Sequence, residues 1–135
     1  MTGYSIGQLA ARTGAKVVTI RYYEKIELLE APRRSRGGHR LYDGQAITRL
    51  NFIRRSRKLG LSLEAIADLI RLAETPDSPC DNADRIAKSQ LRDIRTRMRE
   101  LRAMERALSR ILEEPCGGRA RDCGILGILS PEQTN

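Results

Sequence analysis

Three cysteines are the residues of this chain best suited to chemistry, and a long segment separates them. Cys80 precedes that segment, whereas Cys116 and Cys123 follow it. Clustered thiolates bind soft metal ions, and a single reactive thiolate can sense thiol-reactive molecules. The alternative is that the three are small buried hydrophobic residues. We favour metal or redox chemistry because all three lie outside the apolar stripe of the segment, in loops where thiolates can converge.

The segment between the cysteines predicts one long helix that pairs with another helix. Residues 83–112 contain neither Gly nor Pro. Their apolar side chains recur at alternating steps of four and three, interrupted only by Glu105, which is the pattern of a heptad seam. The seam consists of Ala87, Leu91, Ile94, Met98, Leu101, Leu108 and Leu112. This pattern predicts a dimer through the helix.

The length of this helix limits which cysteines can share a ligand. A helix rises about 1.5 Å per residue, so residues 83–112 span roughly 45 Å. Cys80 and Cys116 of one chain therefore cannot bind the same ion. If two copies pair antiparallel, Cys80 of one chain meets the Cys116 and Cys123 segment of the other. The same pairing would create a dimer and two thiolate sites.

Disulfide bonds explain the cysteines less well than metal binding does. Three is an odd number, and residues 1–8 do not resemble a signal peptide. We therefore expect a reduced, cytoplasmic setting. Residues 124–131, an uncharged stretch near the C-terminus, are too few to cross a bilayer, so we expect no membrane partner.

Positive charge is concentrated in the first half of the chain. Residues 1–58 carry 13 Lys and Arg against four Asp and Glu, a net charge of +9, whereas residues 59–135 carry 12 against 13. A solvated basic surface without a partner would show the same imbalance. A concentrated basic region is also the electrostatic signature of a protein that binds phosphates.

The basic half has the pattern of a helix-turn-helix. Ser5 is a suitable N-cap for a helix over residues 6–13, Gly14 can end that helix, and a second helix follows at about residues 16–25. We expect the second helix to expose side chains that contact phosphates and base edges. These candidates are Lys16, Thr19, Arg21, Tyr22 and Tyr23.

A basic hairpin follows, and it has the character of a wing that holds the DNA backbone. Residues 32–40 break helical periodicity, the adjacent Gly37 and Gly38 permit a tight turn, and residues 40–42 form the predicted return strand. The candidate DNA-binding residues here are Arg34, Arg36, His39, Arg40 and Tyr42.

The remaining pattern completes a mostly α fold. Asp43 is the predicted N-cap of a helix that runs to about Lys58, Ser62 caps a further helix, and residues 125–129 could form a last apolar turn. The predicted organisation is a winged helix-turn-helix DNA-binding domain over residues 1–75, a linker and long antiparallel coiled-coil dimerisation helix over 76–114, and a short metal-binding loop and tail over 115–135.

Three segments of the chain form a recognisable set: YSIGQLA at residues 4–10, TIRYYE at 19–24 and GHRLYD at 38–43, extended by FIRR at 52–55 and LGLSL at 59–63. Through these segments the chain resembles the MerR family of bacterial transcription regulators. Each alone is weak, but their joint order and spacing are specific. The family usually has Gly at the turn where this chain has Glu27.

The resemblance implies a winged-helix regulator that forms an antiparallel homodimer through the long helix. Such a dimer binds double-stranded promoter DNA whose spacer is unsuitable for RNA polymerase. Effector binding makes the dimer bend and untwist the spacer, which converts repression into activation. RNA polymerase on the same promoter is therefore an implied partner.

The resemblance also implies a class of effector. Cys80, Cys116 and Cys123 match the branch that senses mercury, cadmium, lead and similar divalent ions, so the implied effector is Hg(II), Cd(II) or Pb(II). Three thiolates suit soft ions, whereas structural zinc prefers four closed ligands. Zn(II), Cu(I) or a thiol-reactive stress signal stay as alternatives. An enzyme is disfavoured, because a Cys–His nucleophilic pair would have to use His39 in the wing.

Overall fold

The computed structural model describes residues 3–114 and 117–130, and it is mostly helical, as the sequence predicts. The chain divides into two compact units, Met1–Ile86 and Ala87–Asn135. The elements in chain order are α1 (Ile6–Thr13), α2 (Val17–Lys25), β1 (Arg33–Arg34), β2 (Arg40–Leu41), α3 (Gly44–Lys58), α4 (Leu63–Ala73), α5 (Asp81–Glu113), a 3-10 turn (Ala120–Asp122) and α6 (Gly124–Leu129).

Side-chain caps fix the starts of three helices in the first unit. Ser5 accepts a hydrogen bond from the Gln8 backbone N–H at 3.1 Å, and the Gln8 side chain accepts one from the Ser5 N–H at 2.9 Å. Asp43 and Ser62 each accept a bond at 3.1 Å from the N–H three residues further on. The predicted caps of α1, α3 and α4 are thereby confirmed. The predicted start of α2 is one residue early, because Lys16 is an extended N-cap residue without a side-chain bond.

The first four helices enclose the core of the first unit. α1 packs against α2 and α3, and α3 packs against α4. Each helix contributes fully buried side chains to a common apolar cluster that also includes Tyr42 from the end of the wing. Leu9, Ile20, Leu50, Ile53 and Ile66 are the fully buried aliphatic members of this cluster. This packing holds α2 in place with its other face exposed.

The predicted hairpin is present as a short antiparallel wing, residues 33–41. Arg34 pairs with Arg40 in the ladder, and Gly38 closes the turn with φ at 80°. The return strand is shorter than predicted, since it ends at Leu41. Tyr42 instead forms a separate bridge with Tyr4, through backbone hydrogen bonds of 2.7 and 2.8 Å. This bridge connects the wing to the segment that leads into α1.

The second unit contains most of α5, which begins two residues before its predicted start. α5 has 33 residues and so measures about 50 Å. The predicted last apolar turn forms α6, and Gly124 lies so near α5 that a Cβ there would be 3.4 Å from Cγ2 of Ile111. Pro115, the predicted end of α5, lies outside the described residues. No helix in the described parts of the chain is long and apolar enough to span a membrane.

Glu27 has the one positive φ among the described residues other than glycines, at 63°. It follows α2, at the turn where the related family usually has Gly. The turn directs Leu28 and Leu29 into the core, and their N–H groups both donate to the Tyr23 carbonyl, at 2.9 and 3.2 Å. Burial of these two side chains therefore holds Glu27 in a left-handed conformation that costs a non-glycine residue on the order of 1 kcal/mol.

Replacing Glu27 by Gly should stabilise the protein. Glycine removes the left-handed penalty but loses more backbone entropy on folding, so we expect a gain of about 0.5–1 kcal/mol in the free energy of unfolding. Urea denaturation, monitored by circular dichroism, measures this change in the free energy of unfolding. Glu30→Gly is the matched control, because Glu30 does not have a positive φ, and it should be destabilising. A loss of stability in Glu27→Gly would show that the turn is unstrained.

Candidate functional site

The exposed face of α2 combines two cations, a phenol and an apolar side chain. Val18, Arg21, Tyr22 and Lys25 follow the spacing of one helical face, and Val18 and Tyr22 are 76% and 49% exposed. Lys16 is exposed at the N-cap, and Thr19 is half-buried at the edge of this face. Such a surface can bind phosphates through its cations and base edges through its polar groups, while an apolar side chain can contact a thymine methyl.

Two assignments on α2 need correction. The expectation that Tyr23 is exposed is wrong, because its side chain is 7% exposed and packs in the core. Tyr23 follows Ile20 by three residues, so both lie on the inward face of the helix. Val18, in contrast, was missed as a surface residue. The same periodicity identifies it, since Val18 precedes Arg21 by three residues and Tyr22 by four.

The wing presents further cations to solvent. Arg34, Arg36 and His39 are exposed, as expected for a hairpin that contacts the DNA backbone. Arg34 donates from Nη1 to the Gly38 carbonyl at 2.9 Å, and the Ser35 hydroxyl accepts from the His39 N–H at 3.2 Å. These bonds hold the turn in shape. Arg36 and His39 therefore lie on a rigid hairpin rather than on a loose loop.

Glu24 joins α2, the second or recognition helix of the helix-turn-helix, to the wing. Its Oε2 accepts from Nη1 of Arg40 at 3.0 Å, and its Oε1 accepts from the Tyr42 hydroxyl. The Glu24 side chain is largely buried, so this carboxylate needs both donors. Sequence analysis missed Glu24. The available signal was a single acid on an otherwise basic helix.

The bonds to Glu24 change the roles assigned to Arg40 and Tyr42. Arg40 was expected to contact DNA. Its Nη1 instead forms an ion pair with Glu24, while the rest of the side chain stays partly exposed. Tyr42 was also expected to contact DNA. Its side chain is only 1% exposed, so that expectation is corrected to a positioning role. Both residues fix the wing relative to α2.

The pKa of Tyr42 is raised to about 12, first by burial and then by the hydrogen bond to Glu24 and the charge of Glu24, against the opposing effect of Arg40. An unfolded tyrosine loses its proton near pH 10. The folded state therefore holds the proton more tightly than the unfolded state. The resulting stability is complete below about pH 10 and is lost as pH rises toward about 12.

Tyr42→Phe should remove this alkaline dependence. Wild-type protein should lose about 2 kcal/mol of its free energy of unfolding between pH 10 and 12 through this group, whereas the variant lacks this loss. Denaturant titrations at several pH values measure the difference. Tyr22→Phe makes the same chemical change at an exposed ring and should behave as wild type. An alkaline loss in Tyr42→Phe equal to that of wild type would contradict the assignment.

Two of the three cysteines lie within the described residues. Cys80 is exposed immediately before α5, and its carbonyl accepts from the Asp84 N–H at 3.0 Å. Cys123 is half-buried between the 3-10 turn and α6, and its carbonyl accepts from the Gly127 N–H at 3.1 Å. Cys116 lies outside the described residues. Within residues 3–114 and 117–130 no group of three Cys, His, Asp or Glu side chains is gathered for a metal ion.

A helix-turn-helix with a basic wing, followed by a long helix with an exposed apolar seam, defines the class of winged-helix DNA-binding regulators. The model "MerR HTH family regulatory protein" matches residues 4–73, and the model "MerR, DNA binding" matches residues 47–111. The chain belongs to the MerR family.

Similar proteins cover almost the whole chain. The HTH-type transcriptional regulator ZntR of Escherichia coli is 39% identical over an alignment of 130 positions, which covers 93% of this chain and 92% of that protein. The crystal structure of a transcription regulator from Ralstonia metallidurans in complex with lead(II) has a TM-score of 0.82 at 37% identity and covers 94% of this chain and 99% of that chain. The MerR regulator of Bacillus megaterium in complex with mercury(II) has a TM-score of 0.69 at 30% identity, covering 93% and 98%.

These findings confirm the predicted family and the mostly α fold, with a long helix after the DNA-binding domain. They also establish the chain as a metal-responsive transcriptional regulator and not an enzyme.

Proposed function

We propose that this regulator binds a promoter spacer as a homodimer and activates heavy-metal resistance genes when Hg(II), Cd(II) or Pb(II) binds through Cys80, Cys116 and Cys123. The observation that carries the proposal is the length of α5, which has Cys80 before its first residue and the other two cysteines after its last. Similar regulators have been crystallised with lead(II) and with mercury(II), which supports a soft metal ion as the effector.

DNA binding is assigned to α2 and the wing. The contacting side chains are Lys16, Val18, Thr19, Arg21, Tyr22, Arg34, Arg36 and His39, with the free nitrogens of Arg40 beside them. This set joins the basic half of the chain to groups that read base edges. The Glu24 bonds to Arg40 and Tyr42 hold the two elements together, so helix and wing can act on one duplex as a unit.

Dimerisation is assigned to the seam of α5. Leu101 and Leu112 are 62% and 82% exposed, and no seam residue is buried within the chain. An isolated helix gains little stability by itself, whereas pairing two seams removes their apolar surface from water. In an antiparallel pair, the end of α5 that carries Cys80 lies beside the other subunit's end that leads to Cys116 and Cys123.

The donor set determines the class of ion. Three thiolates favour soft ions that accept trigonal sulfur coordination. Arg119 lies directly before the 3-10 turn and Arg121 lies within it, and their positive charge offsets the negative charge of a tris-thiolate complex.

Zn(II) is the second candidate, and one contact favours it. The Asp122 carboxylate lies against Gly117, the residue after Cys116, with Oδ2 only 3.3 Å from where a Gly117 Cβ would be. An oxygen ligand at this position would complete the four-ligand set that zinc prefers.

The connection between α4 and α5 offers a route from metal to DNA. Only residues 74–80 separate these helices, and the segment is a tight turn in which the Ser78 N–H donates to the Thr75 carbonyl at 2.9 Å. Glu74 at the end of α4 pairs with Arg49 of α3 at 2.7 Å. A metal that moves Cys80 therefore pulls on α4 and α3. Helix α3 packs against α1, and α1 packs against α2. That motion would twist the promoter spacer into a form that RNA polymerase can use.

Mixed dimers test whether the site is shared between subunits. One subunit carries Cys80→Ser and the other carries Cys116→Ser with Cys123→Ser. Shared sites leave one complete site and one empty site, so we expect one tightly bound Hg(II) per dimer. Sites within a chain would both be damaged. Metal titration under reducing conditions, with mass spectrometry of the intact dimer, gives the stoichiometry.

The matched control places all three substitutions in one subunit and pairs it with a wild-type subunit. The number of cysteines removed is the same, but the expectations are reversed. Shared sites would both lose ligands, whereas a site within the wild-type chain would survive. One tight ion in this control and none in the first heterodimer would refute the shared site.

A further inference from the structure

A second basic surface lies on α5, far along the chain from the winged helix-turn-helix. Seven cations recur at steps of three and four residues in the second unit, and they are here called the basic row. The row consists of Lys88, Arg92, Arg95, Arg99, Arg102, Arg106 and Arg110. Successive residues of an α-helix are rotated by about 100°, so the seven lie within a sector of about 80°.

No acidic or apolar residue interrupts the basic row. Between Lys88 and Arg110, every residue in this sector of the helix is a cation. Three acids lie between Lys88 and Arg110, and all are outside this sector: Asp93 and Glu100 lie on the other side of α5, as does Arg97, and Glu105 lies on the side of the seam. The row is about 33 Å long. The net charge of residues 59–135 does not reveal the basic row, because the acids in this part of the chain bring the total close to zero.

The cations of the row are exposed and have no acidic partner among the described residues. Each of the seven is exposed to solvent, and the ion pairs of the described chain are located elsewhere. Arg99 donates only to the neighbouring Thr96 hydroxyl, at 3.2 Å. Seven like charges on one rigid helix repel one another, so an anionic partner would stabilise this surface.

The row stays accessible when the seam is covered. The seam lies about 100° around the helix from the row, so helix pairing covers the flank of the row at most. Arg92 and Arg99 lie on the side of the row away from the seam, and Arg106 lies on the midline of the row. A partner can therefore bind the row of a dimer.

The composition of the row favours nucleic acid over an acidic protein. Protein interfaces depend on aromatic or aliphatic anchors in a dry centre, and the row provides none. Sequence-independent DNA binding requires only cations placed along phosphates, and Arg is well suited to phosphate. The length of the row is close to the roughly 34 Å of one turn of B-DNA. A duplex presents phosphates along this whole length.

We propose that the basic row of α5 is a second DNA-binding surface that holds duplex DNA through its phosphates, without sequence preference. This surface is separate from the interface of α2 and the wing, and it does not depend on metal. A dimer would carry two such rows, which adds a salt-sensitive component to its affinity for long DNA.

The test uses the full-length protein and a fluorescein-labelled 34-base-pair duplex of unrelated sequence, measured by anisotropy over a range of salt. Arg21→Ala with Arg36→Ala serves as background, so that contacts from α2 and the wing are weakened. Adding Arg92→Gln, Arg99→Gln and Arg106→Gln should weaken binding on the order of tenfold and flatten the salt dependence by about 2–3 in log–log slope. Circular dichroism and sedimentation verify that each variant is folded and unchanged in oligomeric state.

Single substitutions provide the matched control. Arg97→Gln and Arg99→Gln remove the same charge from the same helix, two residues apart, on opposite sides. Only Arg99→Gln should weaken duplex binding. Equal effects, or an unchanged slope in the triple variant, would overturn the proposal. So would a triple variant that loses binding to labelled poly-L-glutamate but keeps binding to the duplex, because the row would then fit an acidic protein. The operator affinity of Arg21→Ala alone reports on the α2 interface and is independent of this result.

Discussion

The apolar seam of α5 is the constraint on which the rest of this protein depends. A 33-residue helix with no buried residue exposes Leu, Ile and Met side chains along its length. That surface is unfavourable in water and needs a cover of similar length and pattern. A second copy of the same helix satisfies both conditions. In the proposed antiparallel dimer, cysteines from two chains would lie together and the paired helices would fix the separation of two DNA-binding domains.

The DNA-reading surface depends on a different type of interaction, a buried carboxylate with two donors. Glu24 connects α2 to Arg40 and Tyr42, so the recognition helix and the wing share one anchor. Leaving a buried carboxylate with fewer donors is costly, and this makes the anchor rigid. A rigid helix and wing can transmit a rotation of the domain to the duplex, which a flexible wing would absorb.

Local signals predicted much of the fold, and long-range contacts explain the errors. Caps such as Ser5 and Asp43 act within three residues, so sequence alone revealed the helix starts. Tyr23 and Tyr42 were misassigned because tyrosine suits both a DNA surface and a core with a polar edge, and only packing distinguishes the two. Glu24 was missed because its donors are 16 and 18 residues away.

The candidate metal site could be predicted only as a set of residues. Spacing and residue type single out the cysteines, and helix length excludes a site within one chain for Cys80 and Cys116. In the proposed site the arrangement of the ligands depends on a second chain, which no sequence pattern specifies in three dimensions. At Glu27 the residue type would have given a wrong prediction. Glutamate rarely adopts a left-handed backbone conformation, but the fold imposes one there.

Sedimentation of a seam variant beside a matched control tests the pairing of α5 most directly. Leu101 lies on the seam, and Ala103 is exposed two residues further on, on another side of the helix. Wild-type protein and Ala103→Asp should sediment as dimers at micromolar concentration. Leu101→Asp should sediment as a monomer, because a dimer would bury an unpaired carboxylate. A dimeric Leu101→Asp would contradict the account and place the interface elsewhere.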